Sequence, residues 1–371
     1  MNDELAPALR VDTGHVLLAG GGSGGHVFPA LAVGDELSRR GWRVSFAGNA
    51  ASMEERLATA HGVPFEALAA RPVVGRGPVR RAAALGLALR SAITARRLVR
   101  RREIDAVVVT GGYAAVPAAL GGYLARRPLV LVEPNAQAGV ANRWLSRVAK
   151  VAAVADEETG HGLACPTVVT GVPVRADLFA VPPLASEAPP RLLVLGGSQG
   201  SQRINELLPG AVAHAMERLP ALTVLHQCGA RHLEAAEALW SARGQMRDRV
   251  RVVQFVDDVG EALTMASLVL SRAGAITLAE LAAAGRPALL MPLQLAGGHQ
   301  VANARRAEAA GAAVVVEEVG LDEVSLGERL ATLLAEPGQL AQMGRRAREL
   351  ARPDAAGAIA DEVERLTGEA R

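Results

Sequence analysis

The chain is poor in aromatic residues, in cysteine and in lysine. Phe, Trp and Tyr make up 3% of its 371 residues, the two cysteines, Cys165 and Cys228, stand far apart, and Lys150 is the only lysine. Without a CxxC pair there is no cysteine-built metal site, and two isolated thiols suit a reducing cytosol as core residues. The 40 basic and 38 acidic residues leave a net charge of +2, so no global charge excess points to nucleic acid. Basic charge is almost entirely arginine, which reads as a genomic composition bias. The opening "MNDELAPALRVD" carries acids where a secretion signal would be basic and then apolar, so no export is expected. There is no GxxxxGK[ST], which excludes an ATPase P-loop, and neither an Asp-x-Asp nor a spaced His/Cys set to hold a metal.

What is present is apolar bulk. Half of the chain is hydrophobic, and its length supports two cores of ordinary size, hence two domains. The uncharged stretch at 106–125, "AVVVTGGYAAVPAALGGYLA", is as long as a membrane span. Two Gly-Gly pairs and Pro117 break it into a strand, a loop and a short helix.

Apolar β-type runs ("HVLLAG", "WRVSFAG", "DAVVVTGG", "PLVLVE", "KVAAVA") alternate with helical patterns, which predicts a parallel α/β sheet. In "PALAVGDELSRRG", Pro29 suits a first helical turn and Gly41 a helix end. The proline-rich 171–190 reads as a linker. The grammar then restarts at "RLLVLGGSQGSQRINELLPGAV", with further strands at "LTVLHQCG", "VRVVQFVDD", "SLVLSRAG", "PALLMPL" and "AAVVVEE". The expected architecture is α/β, two Rossmann-like domains facing a cleft: residues 1–173, a linker at 174–190, and 191–353. The last helical segment, within 354–371, has no strand after it and packs back on the first domain.

Three glycine loops follow strands. "GGGSGG" satisfies GxGxxG with Gly20, Gly22 and Gly25; such a loop lets backbone approach an anion at a helix N-terminus. A dinucleotide site would need an acid ending the second strand, and "WRVSFAGNA" ends in Gly48 and Asn49, so NAD is not expected. The second loop holds Gly111 and Gly112, either as a tight turn or as a second anion cradle. The third, "GGSQG", adds the Ser198 hydroxyl. Downstream, "SRAGAITLAELAAAGRPALLMPL" places Glu280 near the start of a helix, where its carboxylate could accept from both ribose hydroxyls or simply face solvent. In "HQVANA", His299 and Gln300 sit at a helix start, to bind sugar hydroxyls or to cap.

Together "GGGSGGHVFPALAVGDEL", "GGYAAVPA", "VEPNAQAGVANRWL", "GVPVRADLF", "LGGSQGSQRIN", the 271–293 stretch and "HQVANA" resemble, in order and over nearly the whole chain, the MurG family of peptidoglycan glycosyltransferases. The resemblance implies a GT-B fold and metal-independent, inverting transfer of N-acetylglucosamine from UDP-GlcNAc. The acceptor would be the 4-hydroxyl of undecaprenyl-diphospho-muramoyl pentapeptide. It implies donor contacts from Ser23, Gly24, Gly25, Asn135, Arg175, Ser198, Val256, Ala275, Ile276, Thr277, Leu278, Ala279, Glu280, His299 and Gln300. Gly22, Gly111, Gly112 and Tyr113 would cradle the acceptor diphosphate. His26 then stands where a base could take the acceptor proton, or where it merely orients the helix start; Glu133 is the competing base. The chain departs from the family at Val132 and Pro134, where histidine and glutamine are usual, and at Val172 in place of asparagine.

Between Glu66 and Glu103 there is no acid, and the segment 71–102 interleaves ten arginines with Leu85, Leu87, Leu89, Ile93 and Leu98. That pattern fits an anionic membrane surface or a solvated arginine face. The resemblance implies peripheral attachment at the cytoplasmic side of the inner membrane, beside other cell-wall synthesis proteins. Two rivals remain: a GT-B transferase acting on another lipid acceptor, and a non-catalytic sugar-nucleotide-binding protein.

Overall fold

Runs such as "HVLLA" and "AVVV" show no polar alternation because parallel strands are covered by helices on both faces. The structure, a computed structural model, describes residues 13–22, 24–72, 78–185, 189–197, 199–244, 248–294 and 299–369. It divides into two compact units, one of residues 1–134, 138–173 and 354–371, the other of 135–137 and 174–353.

In the first unit the chain runs β1 (Gly14–Ala19), α1 (Gly24–Arg39), β2 (Trp42–Gly48), α2 (Met53–Ala60), β3 (Phe65–Ala67), α3 (Pro78–Arg101) and β4 (Ala106–Val109). It continues through α4 (Val116–Leu124), β5 (Leu129–Glu133), α5 (Val140–Leu145), β6 (Val151–Val154), α6 (Glu157–Gly160) and β7 (Thr167–Val169). The seven strands are parallel in the order β3-β2-β1-β4-β5-β6-β7. Order reverses between β1 and β4, and the pairing of Ala19 with Val109 ends both strands side by side. Their following loops therefore start together at the switch point, where open α/β sheets bind ligands.

The second unit repeats the plan: β8 (Arg191–Leu195), α7 (Gln202–Arg218), β9 (Thr223–Gln227), α8 (Leu233–Ser241), β10 (Val250–Val253), α9 (Val259–Met265) and β11 (Leu268–Ser271). After these come α10 (Ala275–Ala284), β12 (Ala288–Leu290), α11 (His299–Ala309), β13 (Ala313–Val315), α12 (Glu323–Leu334) and α13 (Pro337–Glu349). Its sheet is ordered β10-β9-β8-β11-β12-β13, with the switch point between β8 and β11. Two parallel sheets wrapped by helices make the chain α/β, and each expected β-type run is one of these strands.

Two sequence expectations need correction or addition. Helix α1 begins at Gly24, so Pro29 lies inside it rather than in its first turn; Gly24 and Gly25 form that first turn, where amides have no intrahelical acceptor. The edge strands β3 and β7 were not anticipated. Each has three residues, none of them buried, and so carries no hydrophobic signal.

The final helix, α14 (Ala355–Gly368), belongs to the first unit and packs on α1. Its Ile359, Ala360 and Val363 are fully buried in the cluster that contains Val16, Leu18, Val33 and Leu37. Arg40, at the end of α1, reaches across to Asp361 at 2.6 Å and Glu364 at 3.0 Å. The apolar contact outweighs these half-exposed ion pairs, since surface pairs contribute little. Ile359→Ala is expected to destabilise the first unit by about 2–4 kcal/mol, read as a fall in the midpoint of denaturant unfolding; an unchanged midpoint would mean that α14 is not part of this core.

Candidate functional site

At the switch point of the first unit, the loops after β1 and β4 lie against each other. Gly21 N–H donates to Gly111 O at 3.4 Å, and Thr110 N–H donates to Ala19 O at 3.0 Å. Gly112 has φ +78°, and a methyl there would strike the carbonyl of Gly21. Only glycine satisfies both the backbone angle and the contact. Gly22 faces the ring of Tyr113, which starts the short 3₁₀ turn before α4. Gly24 and Gly25 form the first turn of α1, where backbone amides have no helical acceptor. Ser23 lies outside the described residues.

His26 is fixed from the neighbouring loop. Its Nδ1 lies 2.8 Å from Thr110 O, an acceptor only, so Nδ1 carries the proton and Nε2 keeps its lone pair. The Thr110 hydroxyl in turn donates to His26 O. Burial lowers the imidazole pKa below 6.5, against the opposing pulls of the Thr110 carbonyl and the Glu133 charge. A neutral ring with a free Nε2 is the form that accepts a proton.

Glu133 ends β5 and is 1% exposed. Its Oε2 accepts from Gly139 N at 2.8 Å and from Asn142 Nδ2 at 3.0 Å. These bonds tie it to the start of α5, which makes it an anchor for the loop before that helix. The sequence reading passed over Asn142, although its single amide also donates to Val132 O at 3.1 Å.

In the second unit, α10 starts at Ala275 with Gly274 as its cap, and no side chain caps it. The amides of Ala275, Ile276 and Thr277 thus remain open to an anion. Glu280 follows one turn later, beyond Leu278 and Ala279. Burial raises its carboxyl to about 7, opposed by Arg175 and reinforced by Asp177. Arg175 Nη2 lies 3.5 Å from Asp177 Oδ2, is buried and makes no hydrogen bond. A guanidinium NH in that condition has a donor to spare.

At the start of α11, His299 Nδ1 is likewise buried without a partner. Gln300 Oε1 accepts from Leu293 N at 3.0 Å, which leaves its amide protons for a ligand. Val256 N–H is directed at Gln227 Oε1 at 3.4 Å, so its carbonyl is the group left to contact a base. Asn135 falls within the 135–137 stretch of this unit, whose Ala136 N–H donates to Asn303 Oδ1 at 3.2 Å. Asn303 also donates to Ala273 O at 3.1 Å and thereby holds the loop before α10. Ser198 lies outside the described residues. Its loop is shaped by Gly200, where a methyl would strike Cys228 O.

The structure therefore gathers Gly22, Gly24, Gly25, His26, Gly111, Gly112 and Tyr113 at one switch point. Arg175 and Glu280 meet at α10 in the other unit. Among the described residues no group of three His, Cys, Asp or Glu could hold a metal.

Comparison with known proteins agrees with this arrangement. The glycosyltransferase family 28 N-terminal domain matches residues 16–154, and the glycosyltransferase family 28 C-terminal domain matches 191–359. A protein of Sorangium cellulosum named UDP-N-acetylglucosamine-N-acetylmuramyl-(pentapeptide) pyrophosphoryl-undecaprenol N-acetylglucosamine transferase is 41% identical over 357 residues, covering 94% of this chain and 87% of that protein. Its namesake in Alkalilimnicola ehrlichii is 41% identical over 93% of this chain and 97% of its own. The crystal structure of Acinetobacter baumannii MurG superposes with a TM-score of 0.73 at 32% identity, covering 95% of this chain and 99% of that one. With both domains matched and relatives similar along nearly its entire length, the chain belongs to the MurG branch of glycosyltransferase family 28.

Proposed function

We propose that this chain transfers N-acetylglucosamine from UDP-GlcNAc to the 4-hydroxyl of undecaprenyl-diphospho-muramoyl pentapeptide, with inversion at the anomeric carbon. The observation that carries the chemistry is the Thr110-locked imidazole of His26, whose free Nε2 stands beside two glycine loops. His26 Nε2 takes the proton of the acceptor hydroxyl as its oxygen bonds to C1 of the sugar. The C1–O bond to phosphate breaks, and UDP leaves with the electron pair. The open amides of α10 and the Arg175 guanidinium offset the charge that develops on the diphosphate. Glu280 accepts from the ribose hydroxyls, His299 and Gln300 bind the transferred sugar, and Val256 meets the uracil. Asn135, Ser23, Gly24, Gly25 and Ser198 complete the donor contacts. Gly22, Gly111, Gly112 and Tyr113 receive the acceptor diphosphate.

The lipid acceptor calls for a membrane-facing surface, and the outer side of α3 supports one. Leu85, Leu89 and Ile93 recur every fourth residue and are 58%, 62% and 44% exposed. Arg90, Arg97, Arg100 and Arg101 are exposed on the same helix. Tyr123 and Leu124, at the end of the adjoining α4, add exposed apolar area. Apolar side chains ringed by arginine suit anionic headgroups, and no described helix is long and apolar enough to cross the bilayer. The protein would thus act peripherally at the cytoplasmic face of the inner membrane in cell-wall synthesis, the step that supports cell shape and division.

Three outcomes are expected. With UDP-GlcNAc and a short-chain acceptor analogue in EDTA, wild type transfers sugar, and His26→Ala lowers kcat by about 10²–10⁴-fold while donor affinity stays unchanged. Glu133→Gln, which keeps the shape of the anchor, retains turnover; the reverse ranking would make Glu133 the base. Because Glu280 must be ionised to accept two hydroxyls, UDP-GlcNAc affinity should rise roughly tenfold from pH 6 to pH 8, the range around its raised pKa of about 7. Calorimetry on Glu280→Gln should show a flat profile. Replacing Leu85, Leu89 and Ile93 by serine should abolish co-sedimentation with anionic vesicles and leave turnover on the short-chain analogue intact; undiminished sedimentation would assign α3 to a solvated face.

A further inference from the structure

The first glycine loop carries a group that an anion cradle does not require. Glu54 lies in the first turn of α2, behind the Ser52 cap, and is 3% exposed. Its side chain folds back over the ends of β1 and β2. A methyl on Gly21 would strike its Oε1, and a methyl on Gly48 would stand 2.8 Å from its Cγ. The sheet thus receives an acid near the end of its second strand after all, supplied by the following helix. Sequence spacing concealed it.

Among the described residues Glu54 has no hydrogen-bond or ion-pair partner. Its oxygens are therefore left to a ligand that brings donors. Ionised, the group only accepts, so it repels phosphate and favours a hydroxyl or an amide N–H. Gly21, which it touches, is bonded to Gly111 and pressed by Gly112, whose own added methyl would lie 3.2 Å from His26 Cδ2. The carboxylate and the imidazole therefore border the same pair of loops.

We propose that Glu54 binds the acceptor sugar, accepting a hydrogen bond from the 6-hydroxyl or the acetamido N–H of the ring that carries the reacting hydroxyl, and so selects the acceptor and sets its orientation toward His26. The proposal rests on the transferase reading above. It adds a contact to the sugar ring at Gly21, beside the diphosphate cradle of Gly22, Gly111, Gly112 and Tyr113.

The test pairs Glu54→Gln with acceptor analogues that lack the 6-hydroxyl or carry an N-methylated acetamido group. The readouts are KM and kcat for each acceptor, KM for UDP-GlcNAc, and thermal unfolding of the free protein. In wild type, one of the two analogues should lose roughly 10–100-fold in kcat/KM. In Glu54→Gln the acceptor KM should rise by about tenfold or more, with the donor KM unchanged and the discrimination against that analogue gone. The unliganded variant should melt no lower than wild type, because among the described residues the carboxylate has no hydrogen bond or ion pair to lose. Equal discrimination by variant and wild type would overturn the assignment, and so would a melting temperature lowered by several degrees, which would make the carboxylate structural. If wild type itself fails to transfer sugar to the unmodified acceptor, the transferase reading falls and this proposal with it; if wild type transfers and the variant behaves identically, only Glu54 is refuted.

Discussion

The carbonyl of Gly21 occupies the space that a side chain on residue 112 would fill. From that single contact much of the first site follows. It forces glycine at 112 and closes the β1 and β4 loops on each other. Closure brings the Thr110 carbonyl within 2.8 Å of the His26 ring. The tautomer of the imidazole is then set by backbone geometry, which cannot titrate. Many bases are oriented by a carboxylate that also raises their pKa; a carbonyl orients the ring and stabilises its cation less, so burial wins and the ring stays neutral.

The second unit solves the same problem with side chains. Arg286 is 1% exposed and donates to the carbonyls of Leu263, Pro182, Ala284 and Thr264. Arg348 donates to the carbonyls of Phe179 and Val181. Two cations without a bonded carboxylate thereby fasten residues 179–182 to the body of the unit. A few residues upstream is Arg175, whose guanidinium acts on Glu280 of α10. Burial and the nearby Arg348 lower Arg286 to about 10, still well above neutrality. A lysine in that position would have fewer donors for four carbonyls and would lose its charge more readily.

The sequence made the sheets legible because parallel strands are apolar on both faces, and the eleven expected runs are eleven of the thirteen strands. It concealed β3 and β7, whose short exposed segments carry no pattern. The glycine loops were visible as residue types, since close backbone approach demands that residue. Their mutual contact was not visible, because Gly21 and Gly112 are distant in sequence. Glu54 escaped for the same reason. Its neighbours "SMEERLATA" read as an ordinary capped helix with acids in the first turn, and only the fold turns one of those acids inward. Asn142 and Asn303 are similar cases, amides whose importance lies in which carbonyls and carboxylates the chain brings to them.

The handling of charge separates the two switch points. Around α10, open amides and Arg175 supply positive potential, and Glu280 sits within it with a carboxyl raised by burial to about 7. In the proposed reading that carboxylate is offset by the ligand, the ribose hydroxyls meeting Glu280 while the diphosphate meets the amides and Arg175. At the β1 and β4 loops no described arginine or lysine is hydrogen-bonded to the glycine turns, and the ionisable groups that border them include the His26 imidazole, the buried acids Glu54 and Glu133, and Tyr113. That balance suits a polar, hydroxyl-bearing group beside an anion. In the proposed reaction the charge of the acceptor diphosphate is met by backbone amides of both loops, and the arginines and leucines of α3 are the proposed seat of its lipid.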